Sequence, residues 1–141
     1  MKLPVTTREF RISDYETAID LWKRVEGIEI AEGDAKEEVE LFLARNPNLS
    51  RVAETNEGIV GVALCGQDGR RGYIYHLAIE PDYQQQGLAR QLVTECLSGL
   101  GKLGLKRALI LVAADNPRAQ AFWHRCGWED VPFASVMGID L

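Results

Sequence analysis

The stretch from Tyr75 to Arg90 holds the residue types and spacing best suited to chemistry. Residues 73–79 read as a strand that is apolar on both faces, and Glu80-Pro81-Asp82 stops it. Gln84-Gln85-Gln86-Gly87-Leu88-Ala89 then runs into a helix. A helix start offers unpaired backbone N–H groups and the positive end of the helix dipole, so it can hold phosphate without a basic side chain. Gly87 and the small Ala89 let an anion come close to the backbone. The plainer alternative is a tight strand-to-helix turn in which glycine only relieves crowding. On the strand, alternation puts Tyr73, Tyr75, Leu77 and Ile79 on one face and Ile74, His76 and Ala78 on the other.

Other chemistries find less support. There is no GxxxxGK[ST] phosphate loop, and no GxGxxG follows the first strand with an acidic residue downstream. Cys65, Cys96 and Cys126 are odd in number and widely spaced, which fits neither a disulfide framework nor a zinc site. His76 and His124 are not spaced as a metal pair, so no metal is expected. Cys126 reads as a small buried hydrophobe, and Arg70-Arg71 as a solvated turn that could touch substrate or a phosphate. The net charge of −5 argues against a protein that binds nucleic acid by neutralising phosphates. The acid is unevenly spread: residues 1–57 carry 13 acidic and 8 basic side chains, the remainder 8 of each. Glu26, Glu29, Glu32, Asp34, Glu37, Glu38 and Glu40 supply most of the excess.

The elements that must position these residues follow from periodicity. With 141 residues, 46% hydrophobic and 26% charged, the chain suits one globular domain spanning 1–141. Its longest glycine-free apolar run, residues 108–114, is far short of a membrane span, and residues 1–11 do not read as a signal peptide. A reducing cytoplasm is the expected location.

Residues 7–11 read as a strand. Ser13 with Glu16 then forms a capping-box pattern ahead of a helix whose apolar face is Ala18, Leu21, Trp22 and Val25. Asp34 reads as the N-cap of a second helix that buries Val39, Phe42 and Leu43 and ends at Asn46-Pro47. Residues 51–54 and 59–65 form a hairpin, and residues 73–79 follow after Gln67-Asp68-Gly69. Residues 87–100 form a helix with Leu88, Leu92, Cys96 and Leu100 spaced by four. Residues 107–113 are a buried strand, residues 117–126 a helix stopped by Gly127, and residues 131–141 one or two closing strands. The order β-α-α-β-β-β-α-β-α-β makes an α/β domain with a mixed sheet flanked by helices.

Two segments together carry a family resemblance. Gln84-x-x-Gly87-x-Ala89, after Leu77-Ala78-Ile79-Glu80-Pro81, resembles the [QR]-x-x-G-x-[GA] acetyl-CoA motif of the GNAT (GCN5-related) N-acetyltransferases. Asn116-x-x-Ala119-x-x-Phe122-Trp123-x-x-x-Gly127-Trp128 is similar to the family's N-x-x-A-x-x-F-Y-x-x-x-G-F segment. The order and separation of the two also match, as in small stand-alone bacterial members.

The resemblance implies that the amides of Gln85, Gln86, Gly87, Leu88, Ala89 and Arg90, after Gln84, hold the pyrophosphate of acetyl-CoA. Main-chain groups of the Leu77-Ala78-Ile79 segment would pair with the pantetheine arm as with an added strand. Asn116 would bond the cofactor, Arg118 would have a claim on phosphate, and Phe122 and Trp123, with Ala119 before them, would flank the thioester. The implied reaction is direct attack of a primary amine, on a small molecule or a protein, on the acetyl carbon. A homodimer is compatible with it.

The chain also departs from the pattern. Trp123 stands where many members have a tyrosine that protonates the thiolate; indole donates a hydrogen bond but is a poor acid, and simple packing is its other reading. The glutamate of the ribosomal-protein acetylating branch is replaced by Leu111, and that of the histone-acetylating branch by Tyr73. Tyr75, with Tyr73 second, is the expected catalytic choice, positioning the amine or relaying a proton through water. His76 is chemically the better base but is expected on the opposite face, as a satisfied core histidine. The rival reading is a non-catalytic acetyl-CoA-binding or sensing module. On the family layout the acidic 26–40 segment borders the acceptor cleft, where it would concentrate a cationic amine.

Overall fold

In the computed structural model the described residues are 3–141, so the first two residues of the N-terminal segment read above lie outside them. The chain divides into two compact units, one ending at Leu111 and the other comprising Val112–Leu141. Among the described residues no helix is long and apolar enough to cross a membrane.

The first unit is built on a five-stranded sheet in the order β1-β2-β3-β4-β5: β1 Thr6–Glu9, β2 Arg51–Thr55, β3 Gly58–Gln67, β4 Gly72–Ile79 and β5 Ala108–Ile110. The first three pairings are antiparallel and β4–β5 is parallel, so the sheet is mixed as expected. Thr55 Oγ1 accepts from the Glu57 amide at 3.0 Å and closes the β2–β3 turn. Helices α1 (Tyr15–Arg24) and α2 (Lys36–Arg45) cover one face, where Ala18, Leu21, Trp22 and Val39 meet Val52, Val62, Leu64 and Ala78. Helix α3 (Leu88–Lys102) covers the other face and buries Leu88, Leu92, Val93, Cys96 and Leu100. It comes so near β4 that a Cβ at Gly72 would lie 2.4 Å from Leu100 Cδ1.

Two helix starts differ from expectation. Ile12–Asp14 is a 3-10 turn, and the Asp14 carboxylate, not Ser13, takes the Arg11 amide at 2.9 Å. The reason is Arg8, which reaches from β1 to grip Asp14 at 2.8 and 2.9 Å and Glu54 of β2 at 2.9 Å. Ahead of α2 the N-cap is Ala35, whose amide donates to Glu38 at 3.3 Å. Asp34 turns inward instead and is buried.

The second unit contains α4 (Pro117–Arg125). The expected strand over 107–113 is only Ala108–Ile110, and Leu111 is exposed. The expected closing strands over 131–141 are not formed: Phe133, Met137 and Ile139 are exposed, and Pro132 and Gly138 interrupt the run.

Burial alone would push the Asp14 carboxyl up, but the Arg8 guanidinium and the Arg11 amide hold it below the usual carboxylate range. A depressed folded-state value means that its contribution is present above the unfolded value and is lost as pH falls through the folded one. Urea unfolding should therefore show stability declining below about pH 4. Asp14→Asn should cost about 1–3 kcal/mol at neutral pH and make that acid slope shallower.

Candidate active site

The strand, loop and helix that carry the first motif are continuous in the first unit. β4 pairs with β3 along its length, but with β5 only over Gly72–Ile74 opposite Ala108–Ile110. From Tyr75 to Ile79 the β5-facing edge of β4 has no strand partner among the described residues. In the same stretch the register slips. Between the pairs Val62↔Ala78 and Leu64↔Tyr75, β3 advances two residues and β4 three. The bulge falls at His76-Leu77, and His76 has φ +51, uncommon for a residue with a side chain.

The bulge overturns the alternation expected for this strand. Ala78 joins the α1–α2 core that Tyr75 packs against, whereas Ile79 lies toward α3 beside Leu92. His76 is also on the α1–α2 side and not on the face opposite Tyr75. Its Nε2 lies 2.9 Å from Asp34 Oδ1, and its ring sits 5.0 Å from that of Trp22. Trp22 Nε1 donates to the His76 carbonyl at 2.9 Å, the Ala31 amide to Asp34 Oδ2 at 3.0 Å, and Tyr15 OH to the Asp34 carbonyl at 2.6 Å. Strict alternation could not have found this cluster, because one inserted residue changes which side chains share a face.

Beyond β4, Arg24 of α1 grips Glu80 with two bonds, 3.0 and 2.5 Å. A 3-10 turn, Pro81–Tyr83, follows. Gln84 folds back to donate to the Ile79 carbonyl at 3.0 Å, and Gln86 donates to the Asp82 carbonyl at 3.2 Å. These two glutamines shape the loop with their side chains. Gln85 has φ +60, and Gly87, the N-cap of α3, has φ +81. A Cβ at Gly87 would meet nothing within 4 Å, so the space beside Gly87 is open. Among the described residues the amides of Gly87, Leu88, Ala89 and Arg90 donate to no protein acceptor. That combination fits a phosphate, which main-chain donors and the helix dipole would hold together.

Tyr73 and Tyr75 stack with ring centroids 6.0 Å apart, and Phe42 of α2 meets Tyr75 edge-on at 6.1 Å. Burial first, then Tyr73 and Asp68, push the Tyr75 phenol above its ordinary value. It is therefore a neutral hydrogen-bonding group near pH 7 and not a phenolate base. The acidic segment splits in two. Asp34 is buried and Glu38 binds the Gly33 and Ala35 amides, while Glu26, Glu29 and Glu32 are exposed. Cys65 and Cys96 are buried free thiols; the bond to Cys65, then burial, push Cys96 far up, which suits packing and not nucleophilic work. No group of three or more metal-ligating side chains occurs among the described residues.

In the second unit, Asn116 caps α4, its Oδ1 accepting from the Ala119 amide at 3.1 Å, with Pro117 at the first helical position. Gln120 donates to the carbonyls of Ala113 and Ala114. Phe122, Trp123 and Trp128 form an edge-to-face series with 5.1 Å between successive centroids. Arg118 is exposed. The Trp128 amide returns to the Trp123 carbonyl at 3.0 Å, and Gly127 has φ +92 just past the helix end.

The family described as "Acetyltransferase (GNAT) family" matches residues 14–128. The chain belongs to the GNAT acetyltransferases. An acetyltransferase of Pectobacterium atrosepticum is 32% identical over 124 residues, 88% of this chain and 87% of that one. One from Photorhabdus laumondii is 30% identical over 130 residues, 92% of this chain and 90% of that one. Among solved structures, a GCN5-related N-acetyltransferase from Ralstonia eutropha superposes with a TM-score of 0.76 at 16% identity, covering 96% of this chain and 99% of that one. The PaiA N-acetyltransferase of Thermoplasma acidophilum, solved in complex with coenzyme A, gives 0.74 at 18% identity, covering 87% and 88%. These two share the fold. The protein is thus an acetyl-CoA-dependent acyltransferase, and a purely sensing module falls away as a reading. Asn116→Ala should remove the cap bond and cost about 0.5–2 kcal/mol locally, seen as faster hydrogen exchange at the Ala119 amide.

Proposed function

We propose that this GNAT acetyltransferase moves the acetyl group of acetyl-CoA to a primary amine of a small molecule or protein by direct attack, acting as one domain over residues 1–141. The observation that carries the reading is the open start of α3, with its free amides, next to the unpaired edge of β4. In this reading the amides of residues 85–90 take the pyrophosphate, and Leu77, Ala78 and Ile79 offer main-chain groups to the pantetheine arm. The acetyl group is then directed toward the bulge. Tyr75, backed by Tyr73, positions the amine. The family match, which spans residues 14–128, supports treating both units as one working domain. Three free thiols support a reducing cytoplasm as its location.

The exposed Glu26, Glu29 and Glu32 favour a cationic acceptor, because an acidic border raises the local concentration of positive charge. The Asp34 and Glu38 carboxylates are already engaged within the chain and add less to that field.

The test combines acetyl-CoA calorimetry with thiol release against a panel of cationic and neutral amines at several salt concentrations. The wild-type protein should bind acetyl-CoA and acetylate an amine, with kcat/KM for cationic acceptors falling more steeply with salt. Gly87→Glu should weaken acetyl-CoA binding about tenfold or more, roughly 1.4 kcal/mol, by setting a carboxylate against the phosphate. Normal binding by that variant would refute the assigned cofactor site. Tyr75→Phe should lower turnover and leave acetyl-CoA affinity within about twofold, since a phenol that positions the amine does not hold the cofactor. Unchanged turnover would remove Tyr75 from the mechanism.

A further inference from the structure

The proposed reaction needs a proton sink, because an amine is protonated near neutral pH and cannot attack until it loses a proton. The neutral Tyr75 phenol does not provide one. The bulge of β4 does. His76 is held there against its backbone preference by two partners, Trp22 on its carbonyl and Asp34 on its ring. Asp34 is itself fixed, buried at 9% exposure, with the Ala31 amide on its second oxygen.

The imidazole thus presents Nε2 to a carboxylate, which settles that nitrogen as the N–H donor and leaves Nδ1 as an acceptor. Among the described residues Nδ1 has no protein partner, and no buried side-chain nitrogen or oxygen is left without one. Nδ1 is therefore open to solvent. The groups that contact the ring are Asp34 from the segment before α2 and Trp22 from α1. Among the described residues Asp34 is the charged group bonded to it.

We propose that the His76–Asp34 pair is the proton acceptor for the acetylated amine: His76 Nδ1 takes the proton, with Asp34 as the positioning residue. This rests on the acetyl-transfer reading above. The ammonium gives one proton, directly or through water, to Nδ1, which returns it to solvent. The neutral amine nitrogen then attacks the acetyl carbon, a C–N bond forms and the C–S bond breaks. The second amine proton leaves the nitrogen and ends on the coenzyme A sulfur. An Asp–His pair set at the edge where the thioester would lie supplies the base that the missing family glutamates leave unfilled.

The experiment has two independent readouts. In nitrogen-15 NMR of the wild-type protein at neutral pH, His76 should be the Nε2–H tautomer; the chain has two histidines, so loss of a signal in a His76 variant assigns it. The opposite tautomer would overturn the proposal. The variant is His76→Gly, because glycine sits at φ +51 without strain. It should bind acetyl-CoA within about twofold of wild type while losing on the order of 100-fold in kcat/KM with spermidine or a free-N-terminus tetrapeptide. Added imidazole should restore part of that rate, and alkaline pH should narrow the gap as the acceptor deprotonates unaided. Turnover close to wild type, or a loss that imidazole leaves untouched, would reduce His76 to a structural tie. Failure of the wild-type protein to bind acetyl-CoA would instead strike the acetyl-transfer reading itself.

Discussion

One extra residue in β4 governs most of what lies around it. The slip at His76-Leu77 turns the His76 carbonyl out of the sheet, and Trp22 of α1 takes it. The same slip puts Ala78 on the α1–α2 side and Ile79 on the α3 side, so one strand feeds both cores. A bulge also adds local twist, and just above it β4 and β5 stop pairing after Ile74 and Ile110. The bend, the free edge and the histidine cluster are thus parts of one deformation. Straightening β4 would restore alternation and take His76 off Trp22 and Asp34.

The larger features were legible in the residues because they rest on local periodicity. Leu88, Leu92, Cys96 and Leu100 at four-residue spacing define the buried stripe of α3, and they are buried as a set. The Gly87 turn was legible because a left-handed position at a helix start favours glycine. What escaped depends on contacts distant in sequence. Asp34 has the right chemistry for a helix cap, yet His76, 42 positions away, claims its side chain. Ser13 likewise loses the capping role to Asp14 because Arg8 fixes that carboxylate from a neighbouring strand. Which face His76 occupies was hidden in the register, which no single-strand pattern contains. Residues 131–141 looked like strand from their apolar content, but Pro132 and Gly138 deny them a regular ladder.

The charge asymmetry also acquires a division of labour. Some acids of the first 57 residues are structural, since Asp14 and Glu54 bind Arg8, and Glu38 secures the start of α2. Glu95 on α3 does similar work from the second half, joining Thr7 of β1 and Arg51 of β2. The exposed Glu26, Glu29 and Glu32 belong to neither group and, with the exposed Glu37 and Glu40 of α2, are left to act on solvent and solutes. Net charge alone cannot separate these roles, because a carboxylate consumed by a neighbour projects much less field outward.

The open helix start has a wider consequence. A surface that meets its ligand through main-chain amides asks little of side-chain identity: a glycine, a small neighbour, and a loop that closes on itself through Gln84 and Gln86. Everything else at such a surface is free to drift over evolutionary time without loss of binding. Under the proposed reading, the choice of acceptor then falls to other positions, those at the bulge and along the acidic segment.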